Sequence, residues 1–113
     1  INIESSHCYP DLSKFIAEIH RVLRSDGHFL IADFGTVDRM IDLENHFRQG
    51  NFSTIAVADI TRNVVASLDI LTKYYSELFS KTITDKERYD SLINMARIRG
   101  TVGYERFKKR SEI

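Results

Sequence analysis

The side chains best equipped for chemistry crowd into one short segment, Asn2-Ile3-Glu4-Ser5-Ser6-His7-Cys8-Tyr9-Pro10-Asp11, and a carboxylate recurs at Asp33. A histidine exchanges its proton near neutral pH, and a carboxylate beside it orients the ring and stabilises the cation that forms. His7 with Asp33 is therefore a candidate general base with its orienting partner. Taken singly, each has a plainer reading. His7 also suits a turn or a helix cap, and Asp33 also suits the cap of a helix that starts near Thr36-Val37.

Bringing these two residues together is a task for the elements around them. Leu12, Phe15, Ile16, Ile19, Val22 and Leu23 recur at helical spacing after Pro10-Asp11, and Ser25-Asp26-Gly27 supplies a glycine stop. The run His28-Phe29-Leu30-Ile31-Ala32 is nearly continuous in apolar residues, which predicts a strand over 28–34 covered on both faces. The order is strand end, turn, helix, strand, and the fold class is α/β. Open sheets of this class bind ligands beyond the carboxyl ends of their strands, so His7 and Asp33 are placed to face one crevice.

Farther on, Val37, Met40, Ile41, Glu44 and Phe47 mark a short helix closed by Gly50-Asn51. Residues 52–60 read as a second strand. From Thr61 the pattern turns all-helical. Thr61 is expected to cap a long helix with an apolar face of Val64, Leu68, Leu71, Tyr75 and Leu78. Thr84-Asp85-Lys86-Glu87 reads as a capping box opening a further helix that ends at Gly100. A last helix is expected over 101–110, and Ser111-Glu112-Ile113 is expected to begin a final strand. The expected division is an α/β core over 1–61, a helical insertion over 62–110 and the start of a truncated strand over 111–113.

Composition narrows the function. Of the 113 residues, 16 are basic and 16 acidic, a formal net charge of zero, which provides no field for a phosphate backbone and excludes nucleic acid as the main partner. No apolar run approaches a membrane span, and no signal sequence is visible. One cysteine makes no internal disulfide, which points to a reducing, cytoplasmic location. Cys8 is expected to be a small buried filler, His20 and His46 to lie on solvent-exposed helix faces, and His28 to sit in a turn. No set of His, Cys, Asp and Glu has metal-ligand spacing, so no metal is expected. The basic run Arg106, Lys108, Lys109, Arg110 reads as a solvated face. A start at Ile1 and an end at Ile113 suggest a chain cut at both ends.

Four pieces in order carry a resemblance. They are Glu4-Ser5-Ser6-His7 after a strand, then Glu18 with Arg21-Val22-Leu23-Arg24, then Ala32-Asp33-Phe34 ending the next strand, and then Asp59-Ile60-Thr61. Together they resemble the C-terminal half of a class I S-adenosylmethionine-dependent methyltransferase of the small-molecule O-methyltransferase type. Ser25-Asp26-Gly27 stands where such enzymes have Pro-Gly-Gly. The likeness covers residues 1–61 well and the helices beyond in outline.

The resemblance implies half of a Rossmann-like sheet with a helical lid inserted before the last strand. It implies S-adenosylmethionine as cofactor, contacted by Asn2, Glu4 and Ser5, and a small, largely apolar hydroxylated acceptor, such as a polyketide, a glycosylated natural product or a lipid. His7 then takes the acceptor proton, Asp33 orients it, and Tyr74, Tyr75 and Phe79 of the lid meet the acceptor. It also implies a partner, the N-terminal half of the same domain, which carries the glycine-rich turn and the ribose-binding acid. The alternative is a binding or scaffolding module that keeps the half-sheet and helices without catalysis.

Overall fold

A computed structural model describes residues 1–111 and shows an α/β chain, mostly helical, with a small two-stranded sheet. It forms two compact units, Ile1–Val57 and the chain from Ala58 on.

The first unit begins with strand β1, Asn2–Ile3, and a single 3₁₀ turn, Ser6–Cys8. Helix α1, Leu12–Val22, follows. Its first turn is closed by Asp11, whose carboxylate accepts the Lys14 amide at 2.9 Å, satisfying an amide that has no partner within the helix. Ile16 and Ile19 are buried, whereas Val22, grouped with them by periodicity, is exposed. Strand β2, Ile31–Ala32, lies parallel to β1, with Asn2 opposite Ile31 and Ile3 opposite Ala32. Helix α2, Val37–Gln49, is capped by Thr36 and packs against α1.

Local pattern misplaced several details here. The strand expected over 28–34 shrinks to Ile31–Ala32, because β1 offers a ladder partner only at those two positions. No strand forms over 52–60, where residues 53–60 are exposed and no strand among the described residues lies alongside them. The buried side of α2 carries Leu43, while Val37 and Ile41 face solvent. Glycine is not the left-handed residue at either stop: that conformation belongs to Asp26 (φ 62°) and Asn51 (φ 64°). Gly27 is required by space, since a Cβ there would lie 2.8 Å from the Arg24 carbonyl oxygen. Gly50 is required for the same reason, by Ile16 Cγ2. Aromatic rings hold the unit together, running from Tyr9 to Phe15, Phe29, Phe47 and Phe52 with centroid separations of 4.4, 6.2, 5.7 and 5.5 Å.

The second unit is a helical triplet, α3 (Thr61–Thr82), α4 (Lys86–Met95) and α5 (Val102–Ser111), in which α3 packs against both others. Its centre is Tyr104, 1% exposed, with Ile98. The Tyr104 hydroxyl donates to Asp69 Oδ1 at 2.6 Å, and Arg99 Nη2 donates to the same oxygen at 2.7 Å. One carboxylate on α3 thus fastens α5 and the segment that precedes it.

Helix starts in this unit differ from the sequence expectation. Asp59, not Thr61, does the capping at α3: its carboxylate accepts the Thr61 amide at 2.9 Å and the Thr61 hydroxyl. At α4 the cap is Asp85, accepting the Arg88 amide at 2.7 Å, so the Thr84-Glu87 box does not form. Helix α4 ends at Met95 rather than Gly100, and the turn that follows includes left-handed Arg97 (φ 50°) and Gly100 (φ 90°). Ser111, expected to open a strand, is the last residue of α5, while Glu112 and Ile113 lie outside the described residues.

Candidate functional site

The two parallel strands end side by side, and each is followed directly by polar residues. After Ile3 the backbone passes through left-handed Glu4 (φ 49°), a conformation uncommon for residues other than glycine. The chain then winds into the 3₁₀ turn that carries Ser6 and His7. After Ala32 the next residue is Asp33. The parallel register therefore brings His7 and Asp33 together: His7 Nδ1 lies 3.1 Å from Asp33 Oδ1.

The Asp33 side chain is 0% exposed and the His7 side chain 32% exposed. A carboxylate has lone pairs for about four donors, and four groups approach this one. Oδ1 takes His7 and the Phe34 amide, the latter at 2.8 Å. Oδ2 takes the Ser6 hydroxyl and faces Arg39 Nη2 at 3.4 Å. Burial pushes the Asp33 carboxyl upward, but the hydrogen bonds from Ser6, Phe34 and His7 and the charge of Arg39 outweigh it and hold the group below the usual carboxylate range. An ionised carboxylate can only accept, so His7 Nδ1 is the donor of this bond, and in a neutral imidazole so oriented the lone pair falls on Nε2. The Phe34 ring sits 4.8 Å from the imidazole.

A second polar group lies at the end of β1. Asn2 Nδ2 donates to the Tyr9 hydroxyl at 2.6 Å, Ser5 Oγ donates to Asn2 Oδ1 at 3.0 Å, and Ser5 Oγ lies 2.9 Å from the Tyr9 hydroxyl. The Glu4 side chain is exposed.

The structure thus brings His7 and Asp33 into direct contact, and joins Asn2 to Ser5 through the first turn. The helix-cap reading of Asp33 falls away, because Thr36 caps α2 by accepting the Arg39 amide at 3.3 Å. Tyr74, Tyr75 and Phe79 all belong to α3, with Tyr75 stacked on Phe79 at 5.6 Å and Tyr74 59% exposed. Cys8 is exposed, not a buried filler. His46 is half-buried and bonds the Asp42 carbonyl at 2.9 Å, while His20 is exposed and meets Phe52 edge-on. Both line a hollow of about 370 Å³ between α1 and α2, which contains none of the Asp33 cluster.

Ser6 and Arg39 are functional candidates that sequence reasoning missed. Ser6 had the signal of adjacency to His7. Arg39 had only the apparent role of a charged residue in the first turns of a helix. Among the described residues no group of three or more His, Cys, Asp or Glu is arranged to hold a metal ion, and no helix is long and apolar enough to cross a membrane.

Curated proteins similar to this chain agree in one respect. They are named methyltransferases. A phthiotriol/phenolphthiotriol dimycocerosates methyltransferase of Mycobacterium leprae is 35% identical over 68 residues, 60% of this chain and 25% of that protein. A probable phthiotriol/phenolphthiotriol dimycocerosates methyltransferase 2 of Mycobacterium ulcerans is 33% identical over 72 residues, 64% of this chain and 28% of that protein. A fatty-acid O-methyltransferase of Mycolicibacterium smegmatis is 52% identical over 33 residues, 29% of this chain and 12% of that protein. The chain spans about a quarter of the length of the first two. No family model matches the chain, and no solved structure matches it.

Proposed function

We propose that this chain is part of an S-adenosylmethionine-dependent methyltransferase that methylates a hydroxyl of a small, lipid-like acceptor, with His7 as the general base. The observation that carries the reading is the His7 Nδ1 to Asp33 Oδ1 hydrogen bond at the common end of two parallel strands, in a chain similar to proteins named methyltransferases. The names of the relatives, which include a fatty-acid O-methyltransferase, support a lipid-like acceptor.

The donor set in and just after β1 fits part of the cofactor. The exposed Glu4 carboxylate suits an ammonium group, and Asn2 and Ser5, already tied to Tyr9, offer amide and hydroxyl groups beside it. These three residues would hold the amino-acid end. When bound, the cofactor supplies an electrophilic methyl group on sulfur. The rest of a Rossmann-like domain, contributed by the N-terminal half of the same polypeptide, would hold the remainder.

The chain's own residues do the following. His7 Nε2 accepts the acceptor's hydroxyl proton, and Asp33 keeps the ring in the tautomer that leaves that atom basic. The imidazolium so formed is stabilised by the ionised, buried carboxylate at 3.1 Å. Tyr74, Tyr75 and Phe79 offer an aromatic row for the apolar part of the acceptor.

The test is methylation by the full-length polypeptide of a panel of phenolic and aliphatic lipid alcohols, with labelled S-adenosylmethionine and with long-chain fatty acids, already ionised and in no need of a base, as the comparison. The expected result is transfer to one class, reduced roughly 10² to 10⁴-fold in kcat by His7→Ala with cofactor Kd unchanged. An unchanged kcat in His7→Ala, or a loss of activity accounted for by weakened cofactor binding alone, overturns the assignment. Cofactor binding with no transfer to any acceptor favours the non-catalytic module, which the ties between Ser6, Asp33 and Arg39 would serve equally well as a structural clasp.

A further inference from the structure

Asp33 divides its two oxygens between two tasks. Oδ1 serves His7 and the Phe34 amide, while Oδ2 serves Ser6 and Arg39. Arg39 Nη2 also donates to Ser6 Oγ at 3.2 Å, so the guanidinium settles the direction in which the Ser6 hydroxyl points. With Oδ2 engaged in this way, the carboxylate has no freedom to turn, and Oδ1 stays aimed at His7 Nδ1.

The path of Arg39 to this position depends on Gly35. A Cβ at Gly35 would lie 2.6 Å from Arg39 Cδ and 3.2 Å from both Arg39 Cγ and Met40 Cε. Ordinary contacts of a Cβ are about 3.4–4 Å, so any side chain there displaces the arginine stem. The Arg39 side chain is 28% exposed. Its charge thus acts on Asp33 from partly outside solvent, where an ion pair is screened less than at the open surface. Among the described residues, the charged and titratable groups that face the Asp33 carboxylate are His7 from the 3₁₀ turn and Arg39 from α2.

We propose that Arg39 is a positioning residue that acts through Asp33: laid across Gly35, it fixes Oδ2 together with Ser6 and so holds His7 in the tautomer protonated at Nδ1. The kinetic consequence rests on the reading of His7 as the base, whereas the structural consequence does not. Arginine suits the task better than lysine because its planar fork binds with a fixed direction.

The test is ¹⁵N NMR of the His7 imidazole in the full-length polypeptide, labelled at histidine only, at about pH 8, where an ordinary histidine is neutral. In the unaltered chain the proton is expected on Nδ1. Arg39→Gln and Gly35→Ala, the second keeping the charge while moving it, are both expected to yield a mixture of tautomers with unchanged far-UV circular dichroism. Arg39→Lys is expected to restore the signal only in part. Retention of the pure Nδ1–H form in both Arg39→Gln and Gly35→Ala overturns the proposal. If Arg39→Gln alone loses helical signal, Gly35→Ala decides. In the full-length polypeptide, Arg39→Gln is expected to lower kcat about tenfold to a hundredfold, the scale of a misplaced catalytic group, with KM for the cofactor unchanged. An NMR response without any methyl transfer sinks the proposed activity and leaves the positioning role standing.

Discussion

His7 and Asp33 stand 26 residues apart in the chain and share a hydrogen bond of 3.1 Å. Between them lie a helix and a return strand, and the contact exists because Ile3 and Ala32 are partners in a parallel ladder. Each residue follows its strand, so the register decides that they meet.

That contact is expected to make the first unit acid-sensitive. The Asp33 carboxyl is held below its ordinary range, because hydrogen bonds from Ser6, Phe34 and His7 and the charge of Arg39 outweigh the upward push of burial. A carboxyl lowered in the folded state stabilises the fold above its unfolded pKa, and the contribution is lost as pH falls through the folded value. Asp33→Asn is expected to cost about 1–3 kcal/mol at pH 7 and to show a smaller loss of Tm between pH 7 and pH 3 than the unaltered chain. Thermal melts followed by circular dichroism at the two pH values check this. Equal acid sensitivity in both proteins would assign it to other carboxylates.

Gly50 and Ile16 form a tight fit between the end of α2 and the centre of α1. The backbone at Gly50 has φ of −79°, which any residue adopts, so the penalty for Gly50→Ala is steric. It is expected to be about 1–3 kcal/mol. Ile16→Ala alone is expected to cost about 2–5 kcal/mol. Combined, the two should cost less than their sum, because the smaller side chain makes room for the new methyl. Urea unfolding of the four proteins of the cycle measures the coupling, and strict additivity would show that the contact relaxes freely.

The start of α4 separates two capping schemes. Asp85→Ala removes the acceptor of the Arg88 amide and is expected to cost about 1 kcal/mol. Thr84→Ala removes no cap and is expected to be near neutral. A larger loss from Thr84→Ala would restore the box expected from sequence. Denaturant midpoints of the two variants suffice.

The proposal that the helices from α3 onward select the acceptor has a direct check. Exchanging residues 62–110 for the corresponding segment of a related methyltransferase should transfer the donor enzyme's acceptor preference, because the proposed cofactor contacts and base all lie outside the exchanged segment. Product analysis with both enzymes' acceptors reads the outcome. A chimera that keeps its original preference makes Tyr74, Tyr75 and Phe79 packing residues.

The sheet predicts behaviour as well. A two-stranded parallel sheet with Ile1, Ile3 and Leu30 exposed leaves ladder groups and apolar surface open, a template for association. The 113-residue chain is expected to bind a hydrophobic dye and to associate at micromolar concentration, and co-expression with the proposed N-terminal half should abolish both. A monodisperse chain with sharp cooperative unfolding would contradict this.

The sequence by itself determined the local features. The spacing of Leu12, Phe15, Ile16 and Ile19 behind Asp11 specifies α1, and the polar segment after Ile3 with the carboxylate after Ala32 specifies which groups are available for chemistry, because periodicity and capping depend on residues within one or two turns. Tertiary structure decided everything that depends on a partner distant in the chain. The strand over 28–34 shrank to two residues because a ladder needs an opposite strand, and Val22, Val37 and Ile41 stayed exposed because no element of the first unit covers them. Which side chain accepts the first free amides of α3 and α4 was open among neighbours such as Thr61 and Asp59, or Thr84 and Asp85, and turned on backbone geometry one or two residues from the start. Arg39 looked like an ordinary helix residue, and only the meeting of α2 with the loop after β1 placed its guanidinium on Ser6 and Asp33. A hydrogen bond is satisfied or left unmade by atoms within a few ångströms, and for Asp33 those atoms come from three separate segments of the chain.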